Sequence, residues 1–234
     1  MDPSRLALVQ GMADTRRTLA RWNAAPWPVL RTWLLGAAAV ALALLLAVWA
    51  VAAWTTPDSS RLLLPGLNEP AGPADVGRVL LRNGLVLLLH ALACVAGFIA
   101  GSSLPLQAAH HDGLWRRVHE RAGPSAIAFV VCATAFSLAT QAFVLGGDAA
   151  TLAAQLGIPV PLLLLTLLPH ALPELVALFL PLAAWTLASR RGRWEELLAA
   201  TFATSALAVP VLVVTANLEV FVWPHLMRAA SPLA

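Results

Sequence analysis

The chain has 234 residues, 59% of them hydrophobic and only 12% charged, and its mean hydropathy of +0.77 lies outside the range of soluble globular domains. Its net charge of +3 and pI near 10.0 come from arginine alone, since the 15 cationic residues include no lysine. The arginines fall in short clusters between apolar runs and form no continuous basic patch, so they point away from nucleic acid and toward membrane topology, with a lipid bilayer as solvent.

In chain order, residues 1–28 read as an amphipathic N-terminal segment, with Leu6, Val9, Met12 and Ala13 on one side and arginines toward its end. Residues 29–234 then read as a single transmembrane helical domain. Measured against the roughly 20 apolar residues needed to cross hydrocarbon, spans are expected at Trp33 to Ala53, Leu80 to Ala100, Ser125 to Val144 and Leu197 to Val222. The first has too long an apolar core for a signal peptide.

Another region, Ile158 to Ala188, carries Pro159, Pro161, Pro169 and Pro173 and reads as broken: a short segment from Pro161 to Leu168, then a full crossing from His170 to Ala188. The fold class expected is therefore all-α, a polytopic membrane protein of about five spans with a Pro-broken fourth segment. Cys94 and Cys132 fall mid-span and read as small hydrophobes.

Orientation follows from the arginines. Clusters before the first span, at Arg116, Arg117 and Arg121, and at Arg190, Arg191 and Arg193 share one side if the chain crosses five times. The N-terminus is then cytoplasmic, with the loop Thr55 to Val76, the loop Gly146 to Gly157 and the C-terminus outside. Arg61, Arg78, Arg82 and Arg228 oppose this pattern. Between the second and third spans, Asp112 reads as the cap of a short helix that presents Leu114, Trp115, Arg116 and Val118 for docking on a cytoplasmic partner.

Polar residues inside spans narrow the functional reading. Asn83, His90, Cys94, Gly97 and Gly101 recur at spacings of seven, four, three and four, which aligns them on one packing face, and the last two form a GxxxG pattern suited to close backbone approach. Thr134, Ser137 and Gln141 suggest hydrogen bonds between helices. Glu174 and Glu219 are carboxylates in apolar segments, each costing roughly 3 kcal/mol at a bilayer centre. His170 shares a face with Glu174, and Glu219 sits one turn before Trp223-Pro224, so the three are expected to meet, with Asn217 and His225 close by. This functional polar cluster competes with a purely structural reading, a knot that ties two helices together. No catalytic residue and no metal site is assigned.

The stretch Pro169-His170-Ala171-Leu172-Pro173-Glu174-Leu175 resembles the His-Gly-x-x-Glu motif of the stage II sporulation protein M family, with Ala171 at the family's glycine. Ala216-Asn217-Leu218-Glu219-Val220-Phe221-Val222-Trp223-Pro224 is similar to its second signature, a Glu followed by a Pro, and Asn83-Gly84 is similar to a further element. The resemblance covers Leu80 to Pro224. It implies an integral membrane subunit of an export or cell-envelope complex in a bacterial cytoplasmic membrane. Some members of that family accompany ATP-binding subunits in maturation, export or immunity for ribosomally made peptides, including circular bacteriocins.

The expectation is a subunit without catalytic activity or cofactor of its own, working with a soluble ATPase and possible as a homodimer. The sequence holds no nucleotide-binding loop of the Walker type. Two alternatives stand beside this: a scaffold that recruits cell-wall hydrolases through the 55–76 loop, and a membrane-embedded acid/base or metal enzyme acting on a peptide.

Overall fold

The computed structural model describes residues 7–58, 62–103, 113–114, 117 and 122–233. Of the expected docking residues, Leu114 is described and is exposed, whereas Trp115, Arg116 and Val118, with Asp112 before them, lie outside the described residues.

Among the described residues the fold is helical, without a strand: α1 (Ala7–Ala24), α2 (Pro26–Trp54), α3 (Pro73–Phe98), α4 (Ala122–Leu156), α5 (Val160–Arg190), α6 (Leu197–Asn217) and α7 (Trp223–Ala230). Two π-helical segments, Ile99–Ser103 and Leu218–Val222, extend α3 and α6. Five helical stretches are long and apolar enough to cross a membrane: Pro26–Trp54, Pro73–Gly101, Ile127–Leu156, Val160–Arg190 and Trp194–Ala230. Their outward faces carry large apolar side chains, Leu46, Phe129, Phe136, Phe143 and Phe202 among them, as lipid-facing helices require.

Three boundaries differ from expectation. The fourth segment is one continuous α-helix of 31 residues and not a broken pair. Pro169, Pro173 and Pro181 each delete one backbone N–H, yet the remaining ladder carries the helix past them. The third span runs on to Leu156, so residues 146–156, expected as part of an outside loop, are helical. Gly146 lies against α2 there, where a Cβ would fall 2.6 Å from Val51 Cβ and 3.1 Å from the Val48 carbonyl oxygen. The α4 stop is Gly157, at φ +65, with the Ile158 N–H bonded to the Ala153 carbonyl at 3.1 Å. Irregular backbone appears instead just ahead of Pro224: this proline cannot donate to Val220, and the Trp223 N–H reaches back five residues to the Leu218 carbonyl.

Tertiary contacts divide the chain into two compact units, one of residues 1–37, 86–134 and 178–208, the other of 38–85, 135–177 and 209–234. The first is built on Cys94, Phe98, Val130, Trp185, Ala188 and Leu197. Here α1 packs through Gly11, Thr18 and Trp22, not through Met12 and Ala13, which are exposed. A Cβ at Gly11 would fall 2.8 Å from the Phe98 ring. Arg21 donates to Glu196 Oε1 at 2.6 Å, and Arg193 lies 3.5 Å from the same oxygen, so α1 is fastened to its own chain.

The second unit buries Ala41, Leu44, Val48 and Ala52 of α2, at helical spacing, together with Ala149, Leu152, Leu163, Leu212 and Met227. Ser231 donates to the Leu156 carbonyl at 2.7 Å and holds the C-terminal residues.

Gly146→Val is expected to overpack the α2–α4 contact and destabilise the protein by about 1–3 kcal/mol, read as a lowered melting temperature in detergent. Cys94 is buried and Cys132 exposed.

Candidate functional site

The second unit brings together the middle of α5, the start of α3, the π segment after α6 and the loop before α3. That loop is tied down along its length. The Asp58 N–H donates to Thr151 Oγ1 at 3.0 Å and the Leu62 N–H to Gln155 Oε1 at 3.3 Å. Asn68 closes a tight turn, accepting from the Leu64 N–H at 2.7 Å and donating to the Leu62 carbonyl at 2.8 Å.

Gly66 sits at φ +79, with its N–H bonded to the Glu69 carbonyl at 2.7 Å, and its own carbonyl accepts from Arg228. A Cβ there would lie 2.7 Å from Pro224 Cγ and 2.9 Å from the Val220 carbonyl oxygen. Glycine is thus needed twice over, for the left-handed backbone and for the approach to the π segment.

Leu63 and Leu64 of this strap, with Arg82, Glu219 and Trp223, border two open cavities. One, of about 390 Å³, adds Glu69, Asp75 and Arg78. The other, of about 300 Å³, has leucine walls from α2, α4 and α5 and a polar end formed by His170, Glu174, Glu219 and Arg82.

Because α5 begins at Val160, Glu174 stands fourteen residues in, about 21 Å along the helix. It does not sit near a helix start at Pro169. His170, one turn earlier, is 5% exposed and packs edge-on against Trp223, ring centroids 5.9 Å apart. Asn83 (4% exposed) and Thr215 adjoin the Glu174 carboxylate, as do Arg82 and Glu219. Glu219 faces Arg82 at 3.8 Å, a long ion pair in which the arginine side chain is 69% exposed. Among the described residues, buried Asn83 Nδ2, Glu174 Oε2 and Trp223 Nε1 have no hydrogen-bond partner.

Of the expected cluster, His170, Glu174 and Glu219 line one cavity. No hydrogen bond joins His170 to Glu174, and no three His, Cys, Asp or Glu side chains among the described residues could hold a metal ion. Asn217 is a correction: it is exposed and its amide donates to the Val213 carbonyl of its own helix at 2.7 Å. His225 is exposed as well.

The expected packing face of α3 is buried in part against α5 of the first unit. His90 Nδ1 donates to the Leu178 carbonyl at 2.8 Å, and Cys94 Sγ lies 3.3 Å from the Pro181 carbonyl. The glycines act differently from a backbone-to-backbone motif: a Cβ at Gly97 would fall 2.6 Å from Trp185 Nε1, and one at Gly101 would collide with the Trp194 ring. Each glycine seats an indole. In α4, Gln141 bonds Ser137 at 3.0 Å within its own helix, so the expected bonds to neighbouring helices are not made there.

Arg82, Trp223 and the Leu63-Leu64 strap were absent from the expected cluster. A signal for Arg82 was present, since it opposes the charge pattern of the loops. Arg78, Arg82 and Arg228, three of the four exceptions, are each engaged, with Asp75, Glu219 and the Gly66 carbonyl. The fourth, Arg61, lies outside the described residues.

No family model, curated protein or solved structure matches the chain.

A double-mutant cycle of Arg82→Gln and Glu219→Gln is expected to give a favourable coupling of about 0.5 kcal/mol in thermal unfolding, as befits a long ion pair. A coupling of zero would mean that Arg82 does not compensate Glu219.

Proposed function

We propose that this chain is the membrane subunit of a bacterial export or cell-envelope complex and works with a separate ATP-binding subunit on a peptide. The observation that carries the proposal is the open cavity of about 300 Å³ whose polar end holds His170, Glu174 and Glu219 within membrane-crossing helices. Charged side chains at such depth are costly and face water-filled or ligand-filled space in proteins that move solutes. The likeness of the two Glu-bearing motifs to the stage II sporulation protein M family supports the same reading. The sequence holds no Walker loop, which fits ATP hydrolysis by a separate subunit.

In this reading the arginine clusters at 116–121 and 190–193 face the cytoplasm, with the N-terminus, in the bacterial inner membrane, and the 62–69 strap and the C-terminus face outward. The ATPase docks on the 112–121 region. The scaffold alternative has less support, because the 55–76 loop spends its hydrogen bonds on its own chain at Thr151, Gln155 and Arg228.

Purification of the tagged full-length protein in mild detergent is expected to recover an ATP-binding protein by mass spectrometry. Trp115→Ala/Arg116→Ala should deplete it and Glu174→Gln should leave it in place. Recovery of extracytoplasmic wall hydrolases alone, or of no partner, overturns the proposal.

A further inference from the structure

We infer that the cavity beneath the Leu63-Leu64 strap binds an ammonium or guanidinium group carried on an apolar body, with the cation between Glu174 and Glu219 and the body along the leucine wall. The inference rests on reading this cavity as the ligand site of the proposed function, and it names the ligand's chemistry. The wall is apolar over most of its extent, through Leu45, Val48, Leu152, Leu163 and Leu167, while Glu174, Glu219 and Arg82 supply charge from α5, the π segment and α3, and Asp148 of α4 adds a further carboxylate to the lining. A ligand that fills such a space is amphiphilic, with one polar head.

Two carboxylates meet at that head, and the cation that faces them, Arg82, stands 3.8 Å from Glu219 with most of its side chain in the open. Asn83 and Thr215 adjoin the Glu174 carboxylate, yet its Oε2 is buried with no hydrogen-bond partner among the described residues. The arrangement leaves room for a second cation, not for an anion.

An independent observation distinguishes this end from a mere acidic cluster. His170 is 5% exposed, lines the cavity and makes no hydrogen bond among the described residues, which leaves an unpartnered polar ring at the cavity wall. Trp223, 7% exposed, lines the same end and holds His170 edge-on at 5.9 Å. Indole is the strongest aromatic partner for an organic cation. An alkyl ammonium between the two carboxylates donates to Glu174 Oε2, the buried acceptor left open at this end, and lies beside the Trp223 indole. The volume, about 300 Å³, suits a head and a few apolar groups, at the lower end of ligand sites.

The amino terminus of an apolar peptide and the head of an amino lipid present this same chemistry. The full-length protein is reconstituted in phosphatidylcholine nanodiscs and titrated by calorimetry with trileucine amide and with its N-acetylated form. Trileucine amide is expected to bind, with acetylation or Glu174→Gln each weakening binding by about tenfold or more. Glu219→Gln serves as the second variant, and retained melting temperatures show that both are folded.

If the cation comes from lipid, the same protein purified from phosphatidylethanolamine-containing membranes retains that lipid in native mass spectrometry, and Glu174→Gln releases it. Equal binding of the free and acetylated peptides overturns the inference, as does absence of both peptide binding and retained amino lipid. No ATPase is present in this experiment. Failure to recover an ATPase therefore sinks the export reading alone, and failure here sinks the ligand assignment alone.

Discussion

A carboxylate on a helix that crosses a membrane must be compensated within the protein, because hydrocarbon cannot solvate it and the cost is roughly 3 kcal/mol even on lenient scales. Glu174 and Glu219 impose that demand on the second unit, and much of its irregularity answers it. Arg82 approaches Glu219, Asn83 and Thr215 border Glu174, and the backbone around Glu219 widens into a π turn. Pro224 removes one rung of the ladder where the backbone widens, and Gly66 brings the strap against the widened turn without a side chain. The Arg228 bond to the Gly66 carbonyl then fixes the strap in place.

Much of this was legible in the chain. Apolar run lengths report the solvent directly, and the five spans follow from them. The shared face of His170 and Glu174 is a consequence of helical periodicity, which is local, whereas the depth of Glu174 differs from expectation because α5 starts at Val160 and not at Pro169. What failed was also local in appearance and tertiary in cause. Four prolines in one segment suggest a break, yet Pro159 precedes helix α5 and the helix takes in the other three. A Gly-Gly pair at 146–147 suggests a loop, yet Gly146 is the point at which α4 meets Val51 of α2. Asn217 lies two residues from Glu219 but on the far side of the turn, bonded to its own helix.

Arg82 shows the opposite case, a residue whose role was signalled by violating a rule. Charge counted by loop treats it as an exception to the expected orientation. A cation on the less favoured side has a reason to be there when a carboxylate on another helix requires it, and Glu219 supplies that reason. Arg78 and Arg228 are engaged differently, by Asp75 of the same helix and by the Gly66 carbonyl, so each of the three exceptions has a local partner.

Gly97 and Gly101 seat the indoles of Trp185 and Trp194, and this sets what kind of motion the first unit permits. A ring lodged against bare backbone works as a key in a keyway. Helix α3 cannot roll about its own axis without levering two tryptophans out of their seats, and the Leu178 carbonyl grips His90 against the same rotation. Movement that spares these contacts carries α3 and its partner helix together as a rigid pair. Any transmission along this part of the chain would therefore travel as tilt or translation of that pair and not as a twist of one helix.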